Sequence, residues 1–373
     1  MRSKTIVFLA SLVLMGGMFS TGPGEANAQN PNGAVFVMSN AAENNQIDAY
    51  VRHADGSLQA DGVFSTGGDG SGGTVDPLHS QGSLVLSNDH QLLFAVNAGS
   101  GTVSSFAVHA STLTLLGTEP SGGTTPSALA QNGNLLYVLN SGGDGNVSGF
   151  HVAPGGRLKP IENSTRDLSG NTTSPTSLAI SPNGRFLVVT ESATNNIDVF
   201  RIYPDGSLSD VRVDPSSGVT PFGAKFAPDG VVIVANNTSG AGTVSSYDLQ
   251  WDGSLKVLSA AVPSLGSGTC WNVIAPDGRY TYTANANTSN LSGFAIGRQG
   301  TLTPLGATIV AANPPGSTNI DTAISEDGKF IYTLNGGSGN IGVFSVAADG
   351  SVTFLTTVGG LPPAGGLNGI AAY

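Results

Sequence analysis

Short apolar runs recur along this chain, and each is followed by a small-residue turn and a second, alternating run. The clearest copy has residues 92–97 (LLFAVN) followed by residues 102–108 (TVSSFAV). Six further copies have the same shape, with first runs at 33–40, 135–140, 186–191, 231–236, 280–285 and 330–335. Runs of this length and composition predict β-strands. A repeat of roughly fifty residues that carries strand signals alone predicts the blades of a β-propeller.

Asp-Gly and Asn-Gly pairs separate the runs, and these pairs are the strongest short signals for β-hairpins. They precede first runs at 132–133, 183–184, 229–230, 277–278 and 327–328, and follow second runs at 55–56, 205–206, 252–253 and 349–350. Each copy therefore predicts four antiparallel strands. In the copy around residue 186, we predict the inner strand at 176–181 and a short outer strand at 207–211.

The two ends of the chain supply parts of one blade. Residues 366–373 resemble an inner strand with nothing after it, whereas the copy at Gly33 begins with a middle strand and lacks an inner one. Pairing these two segments closes the ring and removes an open sheet edge. We therefore predict an all-β, seven-bladed propeller of four-stranded antiparallel blades, which forms a single domain over residues 29–373.

The first 28 residues have the layout of an export signal. Arg2 and Lys4 precede an apolar run over residues 6–19, and residues 26–28 (ANA) offer a cleavage point. The apolar run is too short and too rich in glycine for a stable membrane anchor. We expect a periplasmic or secreted protein; the alternative is that the segment is retained as an N-terminal helix.

Composition narrows the classes of partner. The formal net charge of −11 repels nucleic acid and anionic membrane surfaces. A lone cysteine, Cys270, excludes an internal disulfide. We expect no nucleic-acid or membrane partner, no cofactor and no resident metal, and a monomer that binds a small molecule or a protein at the mouth of its channel.

The copy at residues 175–191 (PTSLAISPNGRFLVVTE), with 197–200 (IDVF) and 203–208 (YPDGSL), resembles the lactonase-family seven-bladed propellers. That family includes bacterial 6-phosphogluconolactonase and the fungal carboxymuconate lactonizing enzyme. The resemblance extends, repeat by repeat, over nearly all of the chain after the predicted signal. It implies the same fold and a lactone-hydrolysing site at one mouth of the channel.

The starts of the inner strands depart from the pattern of that family. Family members commonly have Pro, then Arg, then His at this place. The matching pairs in this chain are Gly82-Ser83, Ser127-Ala128, Thr176-Ser177, Phe222-Gly223, Cys270-Trp271, Ile320-Asp321 and Leu367-Asn368. Since a phosphate or carboxylate substrate favours a guanidinium fork, the sequence predicts a neutral or sugar-derived lactone as substrate.

Strand order brings the start of each inner strand and the end of the next strand to the same mouth. The candidate site residues there are His79, Gln81, Glu191, Trp271, Asn272, Asn319, Asp321 and Asn368. Glu191 is the first catalytic candidate, because the other six copies have Asn at its place and the family has an acidic residue in about this region beside its catalytic His. His79 is the second catalytic candidate, and the other six residues are predicted to bind substrate.

Several of these residues have a second interpretation. Glu191 could cap a turn, and Asp321 could pair with Glu191 across the channel or hold a cation such as Ca²⁺ with it. Trp271 could stack on a sugar ring or belong to the core. Cys270 is expected to be a buried thiol rather than a nucleophile.

Two functions from different classes remain open. In the first, the protein hydrolyses a lactone, with Glu191 activating water and His79 or Asn368 holding the carbonyl. In the second, it is an exported propeller that binds a ligand or protein partner and catalyses nothing.

Overall fold

The computed structural model describes Met1, residues 33–238 and residues 240–373, and every regular element among them is a β-strand. The predicted export signal lies outside the described residues, apart from Met1. None of the described residues belongs to a helix that could cross a membrane. The strands form seven antiparallel sheets, and the inner strand of each sheet packs against the inner strands of the sheets on either side. The predicted seven-bladed propeller is confirmed.

The blades are numbered here from the N-terminus, and each runs from its inner strand outward. Blade 1 consists of β29 (Ile370–Ala372), β1 (Gly33–Met38), β2 (Gln46–Arg52) and β3 (Leu58–Ser65). Blade 2 consists of β4 (Leu84–Leu86), β5 (Leu92–Asn97), β6 (Thr102–His109) and β7 (Thr112–Pro120). Blade 3 consists of β8 (Pro126–Asn132), β9 (Leu135–Asn140), β10 (Asn146–Val152), β11 (Leu158–Pro160) and a fifth strand, β12 (Arg166–Asp167).

The remaining four blades have four strands each. Blade 4 consists of β13 (Pro175–Ile180), β14 (Phe186–Glu191), β15 (Asn196–Arg201) and β16 (Arg212–Pro215). Blade 5 consists of β17 (Pro221–Phe226), β18 (Val231–Asn236), β19 (Ala241–Leu249) and β20 (Leu255–Ser267). Blade 6 consists of β21 (Thr269–Ile274), β22 (Tyr280–Asn285), β23 (Asn290–Ile296) and β24 (Leu302–Ala312). Blade 7 consists of β25 (Asn319–Ile324), β26 (Phe330–Asn335), β27 (Asn340–Val346) and β28 (Val352–Val358).

The ring closes as the sequence predicts. The C-terminal strand β29 pairs with β1, with Phe36 opposite Ala371. The side chain of Arg52 adds a hydrogen bond from its Nε to the carbonyl oxygen of Tyr373 at 2.8 Å. Because the strands β1 and β29 come from opposite ends of the described chain and lie in one blade, their pairing closes the ring.

One outer strand lies further along the chain than predicted. Residues 207–211 form a single isolated bridge, between Leu208 and Ile202, and the regular outer strand of blade 4 is β16. The hydroxyl of Ser209 accepts the backbone N–H of Arg201 at 2.9 Å. That N–H is then unavailable to a β-ladder, so regular pairing begins only at Arg212.

Buried tyrosines tie neighbouring blades together. Tyr137, Tyr282 and Tyr332 are fully buried, and each donates its hydroxyl to the carbonyl oxygen of a glycine in the outer hairpin of the next blade. Since a buried hydroxyl without a partner is costly, these bonds fix the angle at which one sheet packs on the next. The three Asp-Gly hairpins that contain these glycines therefore form the predicted turns and also hold neighbouring blades together.

Candidate functional site

A short stretch of chain crosses the channel at the end where the inner strands begin. This crossing segment (residues 78–82) lies between β3 and β4, and it makes hydrogen bonds to blades on all sides of the channel. Its bonds are Leu78 N to Asn368 Oδ1 (3.3 Å), Ser80 Oγ to Ser127 O (2.7 Å), Gln81 N to Thr176 O (2.9 Å) and Trp271 Nε1 to Ser80 O (2.9 Å). We call this end of the channel the closed end and the other the open end.

Gln81 is the anchor of the crossing segment. Its Nε2 donates to the carbonyl oxygen of Asn272 at 2.7 Å, and the N–H of Asn272 donates to its Oε1 at 3.2 Å. Gly223 leaves room for this side chain, since a Cβ there would lie 2.1 Å from the Gln81 Oε1. β21 is the innermost strand of its blade, so one of its edges has no neighbouring strand. The side-chain amide of Gln81 makes the hydrogen bonds that a strand would otherwise make at Asn272.

His79 is the exposed member of the crossing segment. Its backbone has a positive φ of 47°, a conformation that residues other than glycine adopt rarely. The ring contacts Phe222 edge-to-face at 4.9 Å between centroids, and Phe222 contacts Trp271 in the same way at 5.2 Å. This contact removes water from part of the imidazole and lowers the pKa of His79. At neutral pH the ring is therefore uncharged and can accept a proton.

Asp76 lies beside His79, at the base of the same turn. Its Oδ1 accepts a hydrogen bond from Asn368 Nδ2 at 2.9 Å. Burial raises the pKa of Asp76 to about 8; the hydrogen bond from Asn368 opposes this rise, and the charge of Asp321 adds to it. Asp76 is thus a carboxylic acid that keeps its proton near neutral pH.

Asp321 lies deeper in the channel and is 3% exposed. Its Oδ1 accepts the N–H of Thr322 at 2.8 Å, and its Oδ2 accepts the N–H of Ile370 at 3.3 Å. Burial raises the pKa of Asp321 to about 7, although the two N–H groups and the positive charge of Lys225 oppose the rise. Among the described residues, no group of three or more His, Cys, Asp or Glu side chains is arranged to hold a metal ion.

Glu191 lies apart from this cluster, inside blade 4, and is fully buried. Its carboxylate accepts hydrogen bonds from Ser169 Oγ at 2.5 Å and Thr194 Oγ1 at 2.6 Å. The carboxyl group that interacts with it is that of Asp198, not the Asp321 that the sequence suggests. Burial, reinforced by the hydrogen bond and charge of Glu191, raises the pKa of Asp198 to about 9.

The pairing of Glu191 with Asp198 corresponds to a hydrogen-bonded Asn–Ser pair in four other blades. At the equivalent positions in blades 2, 3, 5 and 6, the Nδ2 of a buried Asn donates to the hydroxyl of a Ser on the adjacent strand. These pairs are Asn97–Ser104 (2.8 Å), Asn140–Ser148 (3.2 Å), Asn236–Ser245 (3.0 Å) and Asn285–Ser292 (2.8 Å). In blade 4 the same two positions hold Glu191 and Asp198. Because its raised pKa lets Asp198 keep a proton, Asp198 can donate a hydrogen bond to Glu191, which links the same two strands in the opposite direction to the Asn-to-Ser bond of the other blades.

The sequence of the chain matches a protein family that has this fold. Residues 124–360, more than half of the chain, match the family described as Lactonase, 7-bladed beta-propeller. This chain belongs to that lactonase family. No curated protein shows significant sequence similarity to it.

Solved structures with the same fold include proteins that are named as lactonases. A candidate 6-phosphogluconolactonase from Bacteroides fragilis is 21% identical, with a TM-score of 0.68 over 94% of this chain and 99% of that one. The periplasmic gluconolactonase of Pseudomonas aeruginosa is 20% identical, with a TM-score of 0.69 over 88% and 98% of the two chains. A protein from Lactobacillus plantarum is 19% identical, with a TM-score of 0.71 over 91% and 98%. At these identities the likeness concerns the fold.

The lactonase-family fold brings most of the predicted site residues together. His79, Gln81, Trp271, Asn272, Asp321 and Asn368 all belong to the closed end, whereas Glu191 lies within blade 4. Asn319, also fully buried, donates from Nδ2 to the carbonyl oxygen of Asn290 at 3.1 Å. Of the eight candidates, only His79 has an exposed side chain. Their roles in binding and catalysis stay predictions.

Sequence reasoning missed Asp76. The residue lies three positions before His79 in a Gly- and Ser-rich stretch, where no repeat provides a comparison. The signal that could have found it is its place beside the His at the start of an inner strand. Cys270, by contrast, is buried as expected, and burial raises the pKa of its thiol.

Proposed function

We propose that this protein hydrolyses a neutral or sugar-derived lactone at the closed end of its channel, with His79 as the general base. The observation that carries the proposal is the uncharged, exposed imidazole of His79 in a turn whose backbone N–H groups, at His79 and Ser80, hydrogen-bond to the protonated carboxyl group of Asp76, in a chain of the lactonase family. A base that is neutral at the working pH is the requirement for activating water. We also propose that the protein is exported, as the N-terminal residues predict.

The proposed reaction needs only water, the lactone and the side chains of His79 and Asp76. His79 takes a proton from water as the water oxygen forms a bond to the lactone carbonyl carbon. The carbonyl oxygen gains negative charge, which the O–H of Asp76 stabilises as a hydrogen-bond donor. The ring C–O bond then breaks, and the imidazolium of His79 returns the proton to the leaving alkoxide, which yields a hydroxy acid.

The electrostatics favour an uncharged substrate. Among the described residues, neither the crossing segment nor any inner strand contains an arginine. Asp76 and Asp321 add negative charge to the closed end as pH rises. A phosphorylated lactone would therefore meet repulsion without a guanidinium to offset it.

The test is hydrolysis of a lactone panel, including glucono-δ-lactone, by the wild-type protein and three variants. We expect His79→Asn to lower kcat/KM by about a hundredfold or more, because the general base is lost. Glu191→Gln and His109→Asn, a change at an exposed histidine, should stay within about twofold of wild type, since neither side chain is at the proposed site. Far-UV circular dichroism confirms that each variant is folded.

The opposite pattern would overturn the proposal. If Glu191→Gln abolishes turnover while His79→Asn keeps it, the base is Glu191. If the folded wild-type protein hydrolyses none of the lactones, the second function stands, in which the propeller binds a ligand or protein partner without catalysis. The observation that favours this second function is the burial of seven of the eight candidate side chains.

A further inference from the structure

The open end of the channel is lined by the second halves of all seven inner strands. Two adjoining cavities of about 480 and 270 Å³ lie there, and they share Val85, Leu86, Lys225 and Phe226. Most of the other lining side chains are aliphatic, among them Ile274 and Ile324. Cavities of this size and apolar character are typical of small-molecule sites.

Lys225 breaks a repeat that the other six blades keep. Its Cα pairs with Ile233, the third residue of the neighbouring strand. The six residues at the same register position are Val85, Ala130, Ala179, Val273, Ala323 and Ala372. Six small aliphatic side chains and one lysine therefore form one ring around the channel.

The ammonium group of Lys225 has no local partner. No hydrogen bond or ion pair joins it to any residue that the structure describes. The carboxyl group that acts on it is Asp321, which is only partly ionised near neutral pH. The Lys225 side chain is half-buried, and burial lowers the pKa of its ammonium group, although the charge of Asp321 opposes this shift. An anion supplied from outside would favour the charged ammonium group in the same way.

We propose that the open end binds a small monocarboxylate with an apolar tail, its carboxylate on Lys225 and its tail against aliphatic side chains that line the cavities, such as Leu86, Ile274 and Ile324. A neutral apolar ligand would leave the ammonium group unpaired. A ligand with two negative charges would meet repulsion from Asp321. The site lies at the opposite end of the channel from His79 and does not depend on the proposed hydrolysis.

Isothermal titration with octanoate, and with octan-1-ol as its uncharged counterpart, tests the proposal on the full folded chain. Octanoate should bind and octan-1-ol should bind at least tenfold more weakly. Lys225→Met should weaken octanoate binding by about tenfold or more, because the ion pair in an apolar site is lost. Lys159→Met, a change at an exposed lysine, is the matched control and should leave binding unchanged.

A second measurement uses only the wild-type protein, so its result does not depend on whether a variant folds. Reductive methylation followed by mass spectrometry should modify Lys225 in the free protein and spare it when octanoate is present, while Lys159 is modified in both cases. Failure of octanoate to bind the folded wild-type protein, equal binding by Lys225→Met, or equal methylation of Lys225 with and without octanoate would each overturn the proposal.

Discussion

The two ends of the channel are built from the same seven strands and yet have opposite chemistry. At the closed end, polar backbone and side-chain groups cross the channel and hydrogen-bond to one another, as the bonds of Gln81 to Thr176 and Asn272 illustrate. At the open end, aliphatic side chains surround space, and the ammonium group of Lys225 lacks a partner among the described residues. A repeated scaffold thus yields one filled end and one that can accept a ligand.

The difference arises from residues that depart from the repeat. β4 is short, covering Leu84–Leu86, because the chain before it leaves the blade to cross the channel. Gly223 leaves space for the crossing segment, and Lys225, two residues later on the same strand, charges the open end. One strand, β17, therefore shapes both ends.

The largest expected effect comes from breaking the closed end at Gly223. In Gly223→Val the added Cβ would lie 2.1 Å from Gln81 Oε1 and 2.7 Å from the carbonyl oxygen of Cys270. Displacing Gln81 leaves its buried partners unpaired, and we expect a loss of about 2–3 kcal/mol in the free energy of unfolding. Urea denaturation measures this. Gly359→Val is the control, since an added Cβ there meets nothing within 4 Å; equal unfolding midpoints for the two variants would contradict the role of Gly223.

A smaller expected effect is that the free energy of unfolding depends on pH in opposite ways at the two ends of the channel. Folded Asp76 keeps its proton to about pH 8, whereas the unfolded chain loses it near pH 4. The folded state then binds more protons, so Asp76 makes stability fall as pH rises through this window. Lys225 has the opposite sign, because its lowered pKa means that the folded state binds fewer protons, and stability rises with pH toward the usual lysine pKa.

The two slopes can be separated by substitution. Asp76→Asn should reduce the fall in unfolding free energy between pH 5 and pH 8, and Lys225→Met should reduce the rise at alkaline pH. Urea denaturation at a series of pH values measures both. Curves that run parallel to that of the wild-type protein would show that these groups titrate alike in the folded and unfolded states.

The sequence predicts the fold better than the site because the fold is repeated and the site is not. Seven copies of one strand pattern determine the blades and the closure of β1 by β29. Glu191 stands out in the sequence as an acid among asparagines, but in the structure it lies inside the blade and interacts with Asp198 on the adjacent strand. The crossing segment has no counterpart in other blades, so periodicity carries no information about its path. Lys225 could have been found by aligning the inner strands and asking which one carries a basic side chain.

The smallest expected effect uses the two tryptophans, which report on different parts of the molecule. Trp251 is 85% exposed on an outer hairpin, whereas Trp271 is 2% exposed beneath the crossing segment. Trp251→Phe should change the free energy of unfolding by less than about 0.5 kcal/mol, because an exposed side chain loses little packing. Its remaining emission, from Trp271, should be blue-shifted and poorly quenched by acrylamide. Adding Gly223→Val to this background should increase the quenching, because a displaced Gln81 opens the path to the indole. Unchanged quenching in the double variant would mean that the closed end stays sealed without the Gln81 anchor, and the contrast between the two ends would then depend on Ser80 and Trp271 instead.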